Sequence, residues 1–319
     1  MTDRIICRVL TGPTASGKTQ LGIRLAKEKG WDILNMDSMQ VYRGMEIGTA
    51  KPTKEEMQGV RHHLMDILDP CERFSVAEYR DKAEKLIIGL HEEGKEVLFV
   101  GGTVLYLQAL MHPMGMGYVP PNEILRKRLN AVAETTEGRK ELWKRLKAVD
   151  GVTADRLPVN DTRRIIRALE VYESTGIPFS AQRPREDESS SRFEWIAVST
   201  RMERALLYER INTRVKEMVR SGLADEVKNL LSQGIPEDAQ SMSGLGYKEM
   251  IPYINGLCSL EEAVDRIQTG TRHYAKRQMT FLRREESIHY VDTDRGNAYD
   301  NLYRLFNLEE KHAKDYTDD

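Results

Sequence analysis

Residues 12–19 read Gly-Pro-Thr-Ala-Ser-Gly-Lys-Thr, and every fixed position of the G-x-x-x-x-G-K-T phosphate-binding loop is filled. The flanks agree with it. Residues 5–10 form an apolar run of strand character, and residues 20–29 carry a helical pattern. A strand feeding a glycine-rich turn and then a helix aims several backbone N–H groups and one helix N-terminus at a single point. In that context Gly12, Thr14, Ala15, Ser16 and Gly17 cradle a di- or triphosphate. Lys18 reaches its outer oxygens, and the Thr19 hydroxyl holds a Mg²⁺ riding on them.

Outward from this loop, the first hundred residues alternate as a parallel α/β sheet does. Residues 32–36 read as a second strand. Residues 75–94 read as a long helix with Ser75 as N-cap, and residues 96–100 as a buried strand ending in Gly101-Gly102-Thr103. A further short strand is expected within residues 60–68. After residue 111 the character changes. Residues 114–121 are rich in Gly and Pro and read as a linker, and residues 122–175 are helical throughout. Residues 184–192 are polar and Ser-rich, as loops are. A strand at 193–198 returns to the sheet, a helix at 203–221 stops at Gly222, and more helices run to about 284 before a strand at 288–291. The fold class is therefore α/β: a P-loop core with a mostly parallel sheet flanked by helices, plus an inserted all-helical lobe. Residues 1–114 and 191–319 are expected to form the catalytic core, and 115–190 the insertion.

At 319 residues, 40% hydrophobic and 31% charged, the chain is long enough for one large core plus a smaller lobe. No apolar run approaches the roughly 18 residues of a membrane helix, and no signal-peptide layout opens the chain. The three cysteines, Cys7, Cys71 and Cys258, form no C-x-x-C pair and fit reduced thiols in a cytoplasmic protein. The net charge of -2 hides a basic middle: residues 121–220 carry a surplus of about five positive charges, and 272–284 hold five bases with no acid. Locally basic faces of this kind suit RNA phosphates whatever the total charge.

In open α/β sheets ligands bind beyond the carboxyl ends of the strands. Three such ends are legible: the glycine-rich loop, Asp37-Ser38-Met39-Gln40, and Gly101-Gly102-Thr103. All three are expected to ring one cleft. Triphosphate hydrolases usually end an apolar strand in an acid that grips Mg²⁺. Here the strand at 96–100 ends in Gly-Gly-Thr, which counts against a motor, helicase or switch GTPase. Asp37 is the carboxylate left beside the phosphates, as metal ligand or general base. Arg163, Arg164 and Arg167 share one face of their helix, and Arg210 and Arg214 lie one turn apart on another. Such guanidinium rows suit phosphates; Arg210 by itself is read as salt-bridged surface. His62 and His63 are adjacent on a strand and so point to opposite faces, and no metal is assigned to them.

Seven motifs in order resemble a known family. They are the loop at 12–19, Asp-Ser-Met-Gln-Val-Tyr-Arg-Gly-Met at 37–45, Ile-Gly-Thr-Ala-Lys-Pro at 47–52, Gly-Gly-Thr-Val-Leu-Tyr at 101–106, Asn-Asp-Thr-Arg-Arg-Ile-Ile-Arg-Ala-Leu-Glu at 160–170, Gly-Leu-Gly-Tyr-Lys at 244–248 and Ala-Lys-Arg-Gln at 275–278. Together they resemble the bacterial tRNA dimethylallyltransferases, over about residues 5–290. The resemblance implies transfer of a dimethylallyl group from dimethylallyl diphosphate to N6 of the adenosine 3′ of the anticodon, with release of diphosphate. It makes Asp37 the general base and assigns catalysis also to Lys18, Thr103 and Arg214, with Mg²⁺ as cofactor. The partner is a tRNA anticodon stem-loop whose target base is flipped into the cleft. Contacts to it are expected from Asp37, Ser38, Met39, Gln40, Thr103, Arg126, Arg163, Arg164, Arg167, Gly246, Lys248, Lys276 and Arg277. The insertion would be the RNA clamp. With no Cys/His zinc finger after the acidic tail, the pattern is of the bacterial type, expected in the cytoplasm and as a monomer.

Three rivals use the same core: an adenylate isopentenyltransferase acting on free nucleotides, a small-molecule kinase, and a nucleotide-gated RNA-binding protein without catalysis. The basic insertion and the motifs at 244–248 and 275–278 favour RNA over a free nucleotide, which needs no clamp.

Overall fold

The computed structural model describes residues 4–112, 119, 121–182 and 192–315, with the side chains of 308–315 excepted. The chain divides into two compact units, Met1–Met111 with Ser191–Asp319, and His112–Ser190. The expected linker at 114–121 and the polar loop at 184–192 fall almost entirely outside the described residues.

The first unit is built on six strands, β1 (Ile5–Thr11), β2 (Asp32–Asn35), β3 (His62–His63), β4 (Val97–Val100), β5 (Phe193–Arg201) and β6 (Ile288–Asp292). They pair in the order β3-β2-β4-β1-β5-β6, every pair parallel. β1 is central, and the chain leaves it first toward β4, β2 and β3 and later toward β5 and β6. That reversal opens a crevice at the carboxyl end of β1. Fully buried strands such as β4, Val-Leu-Phe-Val, need apolar residues on both faces.

The helices of this unit are α1 (Lys18–Lys29), α2 (Lys54–Met57), α3 (Val76–Glu92) and α4 (Val104–Met111) before the second unit. The second unit holds α5 (Glu123–Ala133), α6 (Thr136–Val149), α7 (Gly151–Arg156) and α8 (Thr162–Thr175). After it the first unit resumes with α9 (Arg204–Arg220), α10 (Leu223–Ser232), α11 (Tyr247–Ile254), α12 (Leu260–Leu282) and α13 (Ala298–Asp315). Alternate strand residues feed two apolar layers. On one face Cys7, Val9, Leu34, Phe99 and Ala197 pack with α3, α4 and α9–α12. On the other, Leu10, Ile33, Leu98, Val100 and Val198 meet Ile23, Leu25 and Ala26 of α1 and Ala298, Leu302 and Phe306 of α13.

Ser75 caps α3 in a full capping box with Glu78, as its sequence position predicts. Observed ends differ from expectation by a few residues: β5 runs on to Arg201, and α1 starts two residues earlier, at Lys18, because the glycine turn leads straight into it. α13 has no counterpart among the expected elements, because the net acidity of the tail masks its apolar stripe. The second unit has its own core of Leu129, Leu142, Leu146, Ile165 and Leu169, with no strand among its described residues.

Candidate functional site

The carboxyl ends of β1, β2 and β4 meet in one narrow cleft of about 50 Å³. Thr14, Lys18, Thr19, Asp37, Gln40, Thr49, Ala50, Gly101 and Arg214 line it. The three strand ends legible in the sequence therefore do come together.

The glycine-rich loop is shaped by its backbone. Gly17 precedes α1 at φ 87° and supplies no side-chain cap, so the first N–H groups of α1 stay open at the cleft. Ser16 is buried and ties the loop down, its hydroxyl bonded to Pro13 O (2.7 Å) and to the Thr200 hydroxyl (2.6 Å). From α12, Gln278 brackets the loop: Thr14 N–H donates to its Oε1 (3.0 Å), and its Nε2 donates to Gly102 O (2.7 Å). Gly102 is glycine because a Cβ there would stand 2.5 Å from Gln278 Nε2 and 3.1 Å from Gly12 O. The turn after β4 thus packs directly on the loop.

Charge in the cleft is mostly positive. Lys18 Nζ rests 3.3 Å from Pro13 O. Burial pulls its pKa down from 10.5 to about 8, against the opposing pull of Asp37 and with the repulsion of Arg214. Burial likewise lowers the Arg214 guanidinium, which Asp37 and Glu217 hold up. Arg210 departs from expectation. It is exposed, but among the described residues it forms no ion pair, and its Nη1 comes within 4.0 Å of where a Cβ on Gly17 would sit. Its position one turn from Arg214 was the available signal.

Asp37 hangs on a built frame. The buried Asn35 side chain accepts from Asp37 N–H (3.0 Å) and donates to Asp37 O (3.0 Å) and Leu64 O (3.0 Å). Asp37 Oδ1 accepts from Met39 N–H (2.9 Å), closing an Asx turn that leaves Oδ2 for the cleft. Thr103 serves the same turn. Its hydroxyl accepts from Ser38 N–H (2.9 Å) and donates to Ser38 Oγ (3.3 Å). Neither Asn35 nor Gln278 stood out as a site residue in the sequence, because each acts through partners that only folding supplies.

The remaining expected RNA contacts are scattered. Gly246 is a packed turn whose N–H meets Glu249 (2.9 Å), and Lys248 is exposed beside the same Glu249 (3.6 Å). Lys276 and Arg277 lie outside the cleft, bordering a separate basic depression with Phe281 and Arg284. In the second unit Arg126 and Arg167 both pair with the buried Glu170 (2.8 and 2.6 Å), whose pKa their hydrogen bonds lower against the cost of burial. Arg163 and Arg164 are exposed, Arg164 beside Asp161 (3.1 Å). His62 binds Val60 O (2.9 Å) and His63 binds Asp32 (2.8 Å), so the two rings serve different partners.

A family model described as IPP transferase matches residues 40–285. The tRNA dimethylallyltransferase 2 of Geotalea uraniireducens is 46% identical over 291 residues, covering 91% of this chain and 93% of that one. The crystal structure of a full-length tRNA isopentenylpyrophosphate transferase from Bacillus halodurans superposes with a TM-score of 0.74 at 38% identity, over 99% of this chain and 100% of that one. A eukaryotic dimethylallyltransferase acting on tRNA gives a TM-score of 0.76 at 26% identity, over 94% of this chain and 77% of the other. With the model spanning most of the chain and identity of this order over nearly its whole length, the chain belongs to the IPP transferase family.

Proposed function

We propose that this protein transfers a dimethylallyl group from dimethylallyl diphosphate to N6 of the adenosine 3′-adjacent to the anticodon in tRNA, releasing diphosphate. The observation that carries the reading is the single cleft in which Asp37, Lys18, Thr19 and Arg214 face one another. Relatives named tRNA dimethylallyltransferase favour tRNA over a free adenine nucleotide as acceptor.

The residues divide the work. Open N–H groups of the glycine-rich loop and of the α1 N-terminus receive the diphosphate. Lys18 exchanges Pro13 O for a phosphate oxygen, a stronger acceptor. Arg214 in the cleft, with Arg210 beside Gly17 of the loop, neutralises charge that grows on the leaving diphosphate. Thr19 fits a Mg²⁺: its hydroxyl lines the cleft and bonds no group among the described residues, and Mg²⁺ commonly takes one or two protein oxygens with the rest from phosphate and water. Bound there, the ion would supply further neutralisation of the leaving group. Adenine N6 is a weak nucleophile because its lone pair is delocalised into the ring. The Asp37 carboxylate accepts its proton as the C–N bond forms, and Asn35, Thr103 and the Asx turn hold that carboxylate in place.

Mass analysis of tRNA nucleosides after incubation with dimethylallyl diphosphate and Mg²⁺ is the test, with AMP as competing acceptor. Modified adenosine in tRNA is expected; product on AMP alone would replace this reading by the adenylate one. Asp37→Asn is expected to cut the transfer rate by about 10²–10⁴-fold while RNA affinity persists. An unchanged rate would remove Asp37 as the base.

A further inference from the structure

Glu226, on α10, stands outside the cleft and carries no part of the chemistry above. Its carboxylate nevertheless accepts four hydrogen bonds. Glu46 N–H (3.0 Å) and Ile47 N–H (2.8 Å) meet Oε2; Gly48 N–H (3.1 Å) and the Tyr247 hydroxyl (2.6 Å) meet Oε1. Three successive backbone N–H groups form an anion nest, and here a side chain fills it. Tyr247 is fully buried, and its ring lies so close to Gly48 that a Cβ there would stand 2.4 Å from it. The sequence Gly-Leu-Gly-Tyr-Lys at 244–248 thus braces the loop at 46–50.

That loop reaches the cleft through Thr49 and Ala50. Ala50 is held at φ 48°, a left-handed conformation that a non-glycine residue adopts only where its surroundings impose it. The loop's carbonyls then fix a second side chain. Gln40 Nε2 donates to Thr49 O (3.2 Å) and to Ala50 O (3.4 Å), which sets which end of the amide is nitrogen. Among the described residues no donor meets Gln40 Oε1, and Gln40 lines the cleft. What the cleft offers there is an acceptor, suited to an exocyclic amine.

We propose that Glu226 is a positioning residue for acceptor recognition: by clamping the loop at 46–48 it orients the Gln40 amide so that Oε1 receives an N–H of the adenosine amine. The inference rests on the reading that an adenosine amine is the acceptor. Glu226→Gln keeps size and packing but removes the charge and one of the two acceptor oxygens, so its NH₂ meets a backbone N–H donor, part of the nest is lost and the loop's anchor weakens. Tyr247→Phe removes one bond of the four and keeps the ring contact.

The test uses full-length protein with two anticodon stem-loops, one with adenosine at the target position and one with purine riboside, which lacks the amine. RNA affinity, transfer rate, dimethylallyl diphosphate affinity and Tm are measured for each variant. Wild type is expected to bind the adenosine RNA more tightly than the purine one. Glu226→Gln is expected to lose most of that preference and about tenfold or more in transfer rate, with donor affinity unchanged. Tyr247→Phe is expected to lose about two- to threefold in both. A folded Glu226→Gln protein with wild-type preference and rate overturns the proposal, and so does a change confined to Tm or a wild type without preference. Should Glu226→Gln fail to fold, Tyr247→Phe with unaltered preference overturns it. A wild type that transfers nothing to the adenosine RNA fails differently: it removes the reaction itself.

Discussion

Lys18 shows at the scale of one residue how function works against stability. Its ammonium is buried beside a second cation, which brings its pKa from 10.5 down to about 8. A depressed lysine means that the folded state binds its proton more weakly than the unfolded state does. The destabilisation is full below pH about 8, fades as pH rises from there to 10.5, and is absent above, where both states are neutral. The cost is of order 3 kcal/mol, from roughly 1.4 kcal/mol per pKa unit. Replacing the charge with an apolar stem of similar length removes it. Lys18→Met is therefore expected to raise Tm at pH 7 and abolish measurable donor binding, with the gain in Tm shrinking above pH 10. Thermal melts of both proteins at pH 7 and 10.5 check the sign; a gain that grows with pH would contradict the assignment of burial as cause.

At the scale of elements, α12 is what locks the glycine-rich loop to the turn after β4. Gln278 is 2% exposed and satisfies one N–H and one C=O at once. Gln278→Leu fills the same space but leaves the part-buried Thr14 N–H without its partner and Gly102 O with only the long bond from the Tyr274 hydroxyl (3.5 Å), at up to about 1–3 kcal/mol in all. Much of that is expected to appear as a KM for the donor raised about tenfold or more, with a smaller effect on kcat; an unchanged KM would show that the loop holds its form without the bracket. The sequence spoke clearly wherever a local pattern sufficed. The strand, glycine turn and helix at the start, Ser75 as cap, the apolar β4 and the helical run of the insertion are all written in neighbouring residues. Gln278 and Thr14 are 264 positions apart, and nothing local announces their bond. Glu226 reads as one acid among many on a helix until folding brings the loop at 46–48 to it. α4, Val-Leu-Tyr-Leu-Gln-Ala-Leu-Met, is apolar all round and gives no periodic signal, whereas α13 has one in Ala298, Leu302 and Phe306 beneath its charges.

For the whole molecule the question is which basic residues the RNA meets, and the structure redistributes the candidates. Arg167 of α8 and Arg126 of α5 together neutralise Glu170 of α8, a carboxylate with no exposed surface. Breaking such a pair by removing one partner strands a buried charge, at about 3–5 kcal/mol when the pair is fully enclosed and less here, where both arginines are partly open. Arg167→Ala is thus a test of the stability of the helical unit, not of RNA binding. Arg163 and Arg164 are different. Both are exposed, Arg163 faces no acid within ion-pair reach among the described residues, and Arg164 has only the surface pair with Asp161. An exposed pair of this kind contributes up to about 1 kcal/mol, so an RNA phosphate can take the guanidinium at little cost. The double variant Arg163→Ala, Arg164→Ala is expected to fold with near-normal Tm and to bind the anticodon stem-loop more weakly. Removing one arginine–phosphate pairing lowers the slope of log K against log salt by about 0.7–0.9, so removing two lowers it by about 1.4–1.8. Weaker binding with an unchanged slope would point to distortion of the helix, and unchanged affinity and slope would take this face of α8 out of the interface.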